Sequence, residues 1–283
     1  MAARTSPTER QRRLGAELRR MRTSAGVSAE SAAGLLGVDR GKISNIESGA
    51  RPISGDRLRT LARSCGCTDA TYVDALVEMA QQRSRGWWEK YRGSLPQGML
   101  DIAELEAHAL RMRAAYAMHM PGLFQTTEHA LALFRVVIPH LPEREITLRL
   151  AHRVERQAVL DGDAPPPYTA IVHEAALRMQ FGGRSVARAQ LERLLEKSEL
   201  SHVRLLVTPF VAGAFPGAGQ TVLYAEGPAD PLDTVQIDNS HGPVFVHSET
   251  QLAKYRAHLD WMERIALPPR ESRDFIRTIA HEL

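Results

Sequence analysis

Side chains that can hydrogen-bond to bases and phosphates are concentrated in one short segment near the start of the chain, RGKISNIESG. Ile43 and Ile46 are three residues apart, so a helix would bury both on one side. Its remaining sides would then expose Arg40, Ser44 and Asn45. Arginine can donate two hydrogen bonds to guanine, and asparagine can pair with adenine in a similar way. This segment therefore has the chemistry needed to distinguish base pairs.

The residues before this segment predict a second helix that would hold it in place. Ser28 is a good N-cap for the helix AESAAGLL, and Gly37 can end that helix in a left-handed conformation. Asp39 then caps the helix that carries Arg40. Two helices joined by so short a turn have the spacing of a helix-turn-helix, in which the first helix crosses the phosphate backbone and the second enters the major groove.

The charge distribution is consistent with a polyanionic partner for this part of the chain. The protein has 36 Lys and Arg against 33 Asp and Glu, a formal net charge of +3. Residues 1–67 hold 13 Lys and Arg and six Asp and Glu, a net charge of +7, whereas residues 68–283 have a net charge of −4. Contacts with phosphates release counterions and so add salt-dependent affinity. A solvated charged surface accounts for the same excess, so charge alone does not decide between the two.

Several residues around the turn match one class of DNA-binding domain. They are Gly26-Val27-Ser28 before the first helix, Gly37-Val38 in the turn, the run from Ile43 to Gly49, and Pro52. With these residues the segment resembles the phage-repressor (Xre) class of helix-turn-helix domain. The resemblance implies that Arg40, Ser44 and Asn45 contact bases. It places phosphate contacts at four further positions, Ser28, Lys42, Ser48 and Arg51.

Three other positions bear on what this domain can do. Ala29 stands where many members of the class have Gln, and Gly41 has no side chain to offer. The base-reading set is therefore small, which implies a short or degenerate operator or help from a partner. Glu47 is expected to hold the domain together rather than to touch DNA.

Breaks in the helical and strand patterns predict two domains. Five short helices form an all-α helix-turn-helix domain at residues 1–80, and a charged linker follows at 81–98. Residues 99–283 predict a larger α+β domain for regulation or interaction. Its predicted helices lie at about 100–118, 126–138, 142–161, 174–180, 184–198, 249–265 and 271–281. Its predicted strands lie at 168–173, 203–210, 221–226, 234–238 and 244–248.

The second domain also carries a set of matching residues. They are Leu105-Glu106 with Ala109, Met120 to Thr126, Arg153 with Arg156-Gln157, Glu174 to Leu177, Gly182-Gly183, Gln190-Leu191, Val207 to Phe210, Ala266-Leu267-Pro268 and Ser272-Arg273. With these residues the chain resembles actinobacterial antitoxin-like regulators of the WhiJ-like group, which follow an Xre domain with a domain of unassigned function. The resemblance implies transcriptional regulation, with genes for small acidic partner proteins often adjacent. It supplies no ligand.

An arginine-rich helix in the second domain is the candidate docking site for such a partner. Arg149, Arg153 and Arg156 recur at spacings of four and three, so a helix places them on one face. An acidic protein could bind there. The interspersed acids Glu143, Glu145 and Glu155 could instead neutralise the face, and the sequence leaves both alternatives open.

No residue pattern predicts catalysis, a metal site or a bound cofactor. His173-Glu174 lacks a second histidine four residues later, so it is not a metalloprotease helix. The glycine-rich stretch at 213–221 has Gln220 where a phosphate-binding loop has lysine, which favours a surface loop or hairpin. The 11 histidines are scattered without the spacing of metal ligands. We therefore expect a protein that is not an enzyme.

These observations predict a cytoplasmic regulator of transcription. No apolar run approaches the roughly 18 residues of a membrane helix, and the first residues lack the apolar core of a secretion signal. The favoured function is sequence-specific binding of double-stranded DNA by a homodimer, since one such module contacts too few base pairs for useful specificity. A protein partner or a ligand would control binding through the second domain. The alternative is an antitoxin-like interaction module that mainly binds a small acidic partner, with DNA binding secondary.

Overall fold

The structure is a computed structural model that describes residues 6–82, 86–215 and 219–283. Residues 83–85 of the predicted linker and residues 216–218 of the glycine-rich stretch lie outside this described part. The chain forms two compact units, a first unit of Met1–Trp87 with Pro228–Leu232 and a second unit of Trp88–Gly227 with Asp233–Leu283. No helix of the described part is both long enough and apolar enough to cross a bilayer.

The first unit is built from the helices that the sequence predicts. They are α1 (Glu9–Ser24), α2 (Ala29–Leu36), α3 (Arg40–Glu47), α4 (Gly55–Ser64) and α5 (Ala70–Gln81). Each is capped by a side-chain oxygen that accepts a hydrogen bond from a backbone N–H of the first turn. The five caps are Thr8, Ser28, Asp39, Ser54 and Asp69. Their apolar faces bury one shared core that includes Leu18, Ile43 and Leu58.

Backbone contact fixes α3 against α1 at two glycines. A Cβ on Gly15 would lie 2.5 Å from the carbonyl oxygen of Glu47, and a Cβ on Gly49 would lie 2.7 Å from the backbone of Gln11. Gly49 also has a φ of +76°, in the left-handed region that glycine adopts at no steric cost. Neither position has room for a side chain, so α1 sets the position of α3.

The second unit combines a mixed sheet with helices. Its helices are α6 (Gln97–Ala107), α7 (Thr127–Arg135), α8 (Glu143–Arg156), α9 (Glu174–Arg178), α10 (Arg184–Lys197), α11 (Glu249–Ile265) and α12 (Pro269–Glu282). Its strands are β1 (Arg111–Tyr116), β2 (Tyr168–His173), β3 (Val203–Thr208), β4 (Val222–Glu226), β5 (Thr234–Ile237) and β6 (Val244–Val246). The predicted fold class, an all-α helix-turn-helix domain followed by a larger α+β domain, is confirmed.

The strands form one six-stranded sheet in the order β3-β2-β1-β4-β5-β6. β1, β2 and β3 are parallel, whereas β4, β5 and β6 are each antiparallel to the strand before them in this order. Alternate residues face opposite sides, as strand geometry requires. Met112 and Ala114 pack with α10 and α12 on one side, and Ala115 packs with α11 on the other. β1 is therefore buried on both faces at the centre of the sheet.

The prediction of a single helix over residues 100–118 is wrong in its second half. α6 ends at Ala107, and residues 111–116 form β1, paired with β2 on one side and β4 on the other. The segment RMRAAY contains arginine, methionine and alanine, which favour helix in isolation. Hydrogen bonds to two neighbouring strands and burial of both faces override that weak preference.

The segment before α6 belongs to the second unit. The sequence predicts a linker at residues 81–98, and the structure gives residues 87–91 a 3₁₀ turn in which Trp88 and Tyr91 are buried. The hydroxyl of Tyr91 donates a hydrogen bond of 2.9 Å to Glu155 on α8. These aromatic side chains are thus part of the packed second unit.

Candidate functional site

The predicted recognition helix, α3, presents one apolar and one polar side. Ile43 and Ile46 are only 3% and 7% exposed and pack in the core of the first unit. Arg40, Ser44 and Asn45 are exposed. Within the described residues, the side chains of these three make no hydrogen bond and no ion pair. Their donors and acceptors are therefore available to a partner molecule.

The four predicted phosphate contacts have different local surroundings. Arg51 is exposed and makes no ion pair within the described part of the chain. Lys42 pairs with Asp39 at 3.1 Å across the first turn of α3. Ser28 caps α2 through the backbone N–H of Ser31 at 3.0 Å, and the hydroxyl of Ser48 donates to the carbonyl of Asn45 at 3.1 Å. The two serines thus take part in holding the helix ends.

Glu47 holds the domain together, as the sequence predicts. Its carboxylate accepts hydrogen bonds from Nε and Nη2 of Arg22 at 2.5 and 3.0 Å. The same guanidinium donates to the carbonyl of Val27 at 2.7 Å, at the start of the turn before α2. The hydrogen bond to Glu47 is the main cause of a raised pKa at Arg22. The guanidinium of Arg22 therefore connects α1 both to α3 and to the loop between α1 and α2.

The basic residues of the first unit include a buried interior set and an unpaired exterior set. Arg13 and Arg22, which are buried, pair with Glu17 and Glu47. The exterior set is exposed and forms no ion pair with any described residue: Arg19, Arg40, Arg51, Arg57 and Arg63. In each interior pair, the charge of the arginine is balanced by a carboxylate. The exterior set therefore supplies the positive charge that is available to a polyanion.

The three arginines of α8 share one helix face, as predicted, and that face lines a cavity. Arg149 donates two hydrogen bonds to Glu145, at 2.9 and 2.6 Å. Arg156 donates two to Glu106 of α6, at 2.5 and 2.8 Å. Arg153 donates to the side-chain oxygen of Gln125 and lies over the ring of Phe134 at 5.3 Å. Arg153 therefore differs from its neighbours, because no described carboxylate pairs with it.

Residues far apart in the sequence converge around this arginine face. The side chain of Gln157 donates to the carbonyl of Gln125 at 2.8 Å, and Gln125 in turn donates to the carbonyl of Met120 at 2.9 Å. Gln190 donates to the carbonyl of Phe124 at 2.9 Å. These residues belong to the matching set of the second domain, together with Glu106, Arg153 and Arg156. The structure brings that part of the set together in one place.

The cavity has a volume of about 430 Å³ and lies within the second unit. It opens where the carboxyl end of β1 meets the start of β4 and the end of β5. Its polar lining, besides the three arginines and Gln125, comprises Glu106, Tyr116, His119, Thr221, Gln236 and Asp238. Its apolar lining comprises Met99, Ile102, Met120, Leu133, Phe134, Val136, Val137 and Leu223. The spacing of the arginines in the sequence predicts their shared face, but it does not predict the acids, glutamine and histidine opposite them, which come from other elements.

The cysteine and histidine chemistry gives no sign of a metal centre. Within residues 6–82, 86–215 and 219–283, no group of three or more His, Cys, Asp or Glu is placed to hold a metal ion. His129 and His152 are 1% and 0% exposed. Burial lowers the pKa of each to about 4, so both rings are neutral at pH 7.

Comparisons with known families agree with the division into two parts. A family model described as a helix-turn-helix domain matches residues 13–76, and one described as a domain of unknown function (DUF5753) matches residues 99–278. No curated protein and no solved structure matches the chain. The helix-turn-helix match points to a DNA-binding regulator rather than an enzyme. The second match covers more than half of the chain, which therefore belongs to the DUF5753 family, with a helix-turn-helix domain ahead of the family's domain of unknown function.

Proposed function

We propose that this protein is a transcriptional regulator of the Xre type that binds specific sequences of duplex DNA through α3. The polar side of α3, with Arg40, Ser44 and Asn45 exposed and without described partners, is the observation that carries this proposal. In a helix-turn-helix, such side chains at the start of the second helix contact base edges in the major groove. Arg40 and Asn45 have the donors and acceptors to select guanine and adenine.

The surroundings of α3 support this mode of binding. Ile43 and Ile46 anchor its other side in the core, and the Arg22–Glu47 pair holds its carboxyl end against α1. A helix whose backbone is fixed in this way binds DNA without first having to fold, which lowers the entropic cost of binding. Arg51 supplies an exposed charge just beyond α3 for a phosphate.

The proposal includes a homodimer in solution and control through the second unit. Two modules that bind half-sites one helical turn apart give the specificity that one module lacks. Light scattering of the full chain should therefore give twice the 31.4 kDa of one chain. The cavity beside α8 favours a small ligand as the controlling signal over an acidic partner protein, because two of the three α8 arginines are held by Glu106 and Gln125 within it.

Selection of bound duplexes from a random DNA library tests the proposal, using the full chain. The wild type should enrich one sequence motif, and its affinity for that motif should fall steeply between 50 and 200 mM salt, by roughly 10³-fold or more if about six phosphates are contacted. The double substitution Arg40→Ala with Asn45→Ala should abolish enrichment.

Arg188→Ala is the matched control, since Arg188 is an exposed arginine of α10 in the second unit. It should leave both the motif and the salt dependence unchanged. Failure of the wild type to enrich any motif, with affinity independent of salt, would contradict the proposal.

A further inference from the structure

The cavity beside α8 has the size and position of a small-molecule site. Its volume of about 430 Å³ falls in the range of roughly 300–1,000 Å³ that such sites occupy. It lies at the carboxyl end of β1. In the sheet order, β2 and β3 lie on one side of β1, and β4, β5 and β6 lie on the other side. In open α/β sheets, ligands bind beyond the carboxyl ends of the strands, at the point where the strand order changes direction in this way.

Arg153 is the arginine of this cavity with which no described carboxylate pairs. Among the described residues, its one hydrogen-bond partner is the neutral side chain of Gln125, which accepts from Nη1. Its Nε atom is buried and has no hydrogen-bond partner. The Nη2 atom, in contrast, is not buried, and within the described part of the chain it makes no hydrogen bond and no ion pair, so it is the free edge of the guanidinium. A guanidinium that is largely withdrawn from water and contacts no described carboxylate is costly, so this edge is a site for an anion.

The neighbouring arginines differ from Arg153 in this respect. Glu106 neutralises Arg156 through two hydrogen bonds, and Glu145 neutralises Arg149. Burial, followed by the nearby charge of Arg156, lowers the pKa of Arg153 to about 10. A lowered pKa means that the cavity stabilises the charged form of Arg153 less well than water does. An anion bound at the free edge would supply the stabilisation.

The geometry and charge of the lining favour one negative charge. The planar guanidinium of arginine matches the two oxygens of a carboxylate. Glu106 in the wall and Asp238 at the exposed rim would repel a second negative charge. His119 also faces the cavity, and burial lowers its pKa, so it adds no positive charge at pH 7.

The rest of the lining favours an apolar body for the ligand. Phe134 and Leu133 of α7 lie on the cavity wall with Met120, Ile102 and Leu223. Burying apolar ligand surface against such side chains contributes affinity in proportion to the area removed from water. Acetate and other small polar anions would lose this contribution. We propose that the cavity binds a small monocarboxylic acid with an apolar body, with its carboxylate held by the free edge of Arg153.

Calorimetric titration of the full-length protein, without DNA, tests this site. The probes are the sodium salts of straight-chain alkanoates from butanoate to decanoate. Affinity should rise with chain length, and the amide of the tightest binder should bind at least tenfold more weakly. The phosphate monoester of the same chain length should also bind more weakly, because Glu106 and Asp238 repel its second charge.

Substitutions of the arginines separate a ligand-binding role from a structural one. Arg153→Met should weaken alkanoate binding at least tenfold and leave the Tm of the unliganded protein within a few degrees of the wild type, because no carboxylate is left unpaired. Arg156→Met should lower that Tm far more, because it leaves the buried Glu106 unpaired. Leu133→Trp should weaken binding by filling the cavity while Arg153 stays in place.

Three results would overturn the inference. They are the absence of any alkanoate binding at 10 mM, equal binding of carboxylate and amide, and a drop in Tm for Arg153→Met as large as that for Arg156→Met. Tighter binding of the phosphate monoester would overturn the assignment to carboxylates.

A regulatory role for this ligand rests on the proposed function, but the titrations contain no DNA. A failure of the alkanoate titrations would therefore leave the DNA-binding proposal intact. A failure of the DNA selection would likewise leave the proposed ligand site intact.

Discussion

The two units place unpaired arginines in opposite environments. In the first unit, Arg40 and Arg51 are exposed to solvent, while the buried Arg22 has its carboxylate partner in Glu47. In the second unit, Arg156 is paired with Glu106, but the neighbouring Arg153 is enclosed without such a partner. An exposed arginine costs little to leave free, because water solvates it. An enclosed one is destabilising until a ligand matches its charge.

This difference indicates two kinds of binding. Exposed charges attract a large polyanion over long distances, and salt screens that attraction. An enclosed charge selects a small anion by shape and is much less sensitive to salt. The first unit therefore has the properties of a DNA-binding surface, and the second has those of a ligand pocket.

The largest expected effect comes from breaking the buried ion pair of the second unit. Glu106→Ala leaves Arg156 without its partner and should lower the free energy of unfolding by about 3–5 kcal/mol. Urea unfolding followed by tryptophan fluorescence measures this loss, because Trp88 and Trp261 both lie in the second unit.

Glu145→Ala is the control for this substitution. The Arg149–Glu145 pair is more exposed, with 19% and 30% of the two side chains accessible. Its loss should cost less than about 1 kcal/mol. Equal losses for the two variants would remove the distinction between the enclosed pair and the half-exposed one.

Lowering the pH from 7 to 5 should destabilise only the second unit. All 11 histidines follow residue 107, so the first unit has none. His129 and His152 have pKa values lowered to about 4 by burial, whereas their unfolded values lie near 6.5. Between these values the unfolded chain binds more protons, so stability is complete above about pH 6.5 and falls as the pH decreases toward 4.

Linkage gives a loss of about 2 kcal/mol at pH 5 for each of the two histidines. Thermal unfolding at pH 7 and pH 5, followed by tryptophan fluorescence, measures the change. His129→Leu should remove about half of the pH dependence. A pH dependence unchanged by this substitution would show that His129 is not held neutral.

A smaller effect is expected at the contact between α1 and α3. Gly15→Ala places a methyl group against the backbone of Glu47 and should cost about 2 kcal/mol of stability in the first unit, despite the higher helix propensity of alanine. Gly34→Ala on α2 is the control, since no atom lies within 4 Å of its Cβ. It should stabilise by roughly 0.5–1 kcal/mol. Circular dichroism at 222 nm measures both, and a neutral Gly15→Ala would contradict the close approach.

The helices of the first unit could be predicted from local residues. Ser28, Gly37 and Asp39 set the ends of α2 and the start of α3, and the spacing of Ile43 and Ile46 identifies the buried side. All of these signals lie within a few residues of the structure that they determine. Arg22 and Glu47 are 25 positions apart. The sequence predicts that Glu47 holds the domain together, but it does not identify Arg22 as its partner.

The cavity of the second unit could not be predicted in the same way. Helical spacing correctly placed Arg149, Arg153 and Arg156 on one face, but it gave no information on which element that face meets. Glu106 lies 50 positions before its partner Arg156, and the prediction of a helix over 100–118 concealed β1. The alternation of Arg111 and Arg113 with Met112 and Ala114 was the available signal for a strand.

The most direct test of the central claim is a comparison of two substitutions in α3 on two DNAs. The DNAs are the motif selected by the wild-type protein and a random duplex of equal length. Asn45→Ala should weaken binding to the motif by roughly tenfold and leave binding to random DNA nearly unchanged, since a base contact discriminates by about 1–3 kcal/mol. Lys42→Ala should weaken binding to both DNAs by a similar factor, because a phosphate contact carries no sequence information. Equal losses on both DNAs for both substitutions would contradict the account, since α3 would then not be docked with Asn45 on the bases.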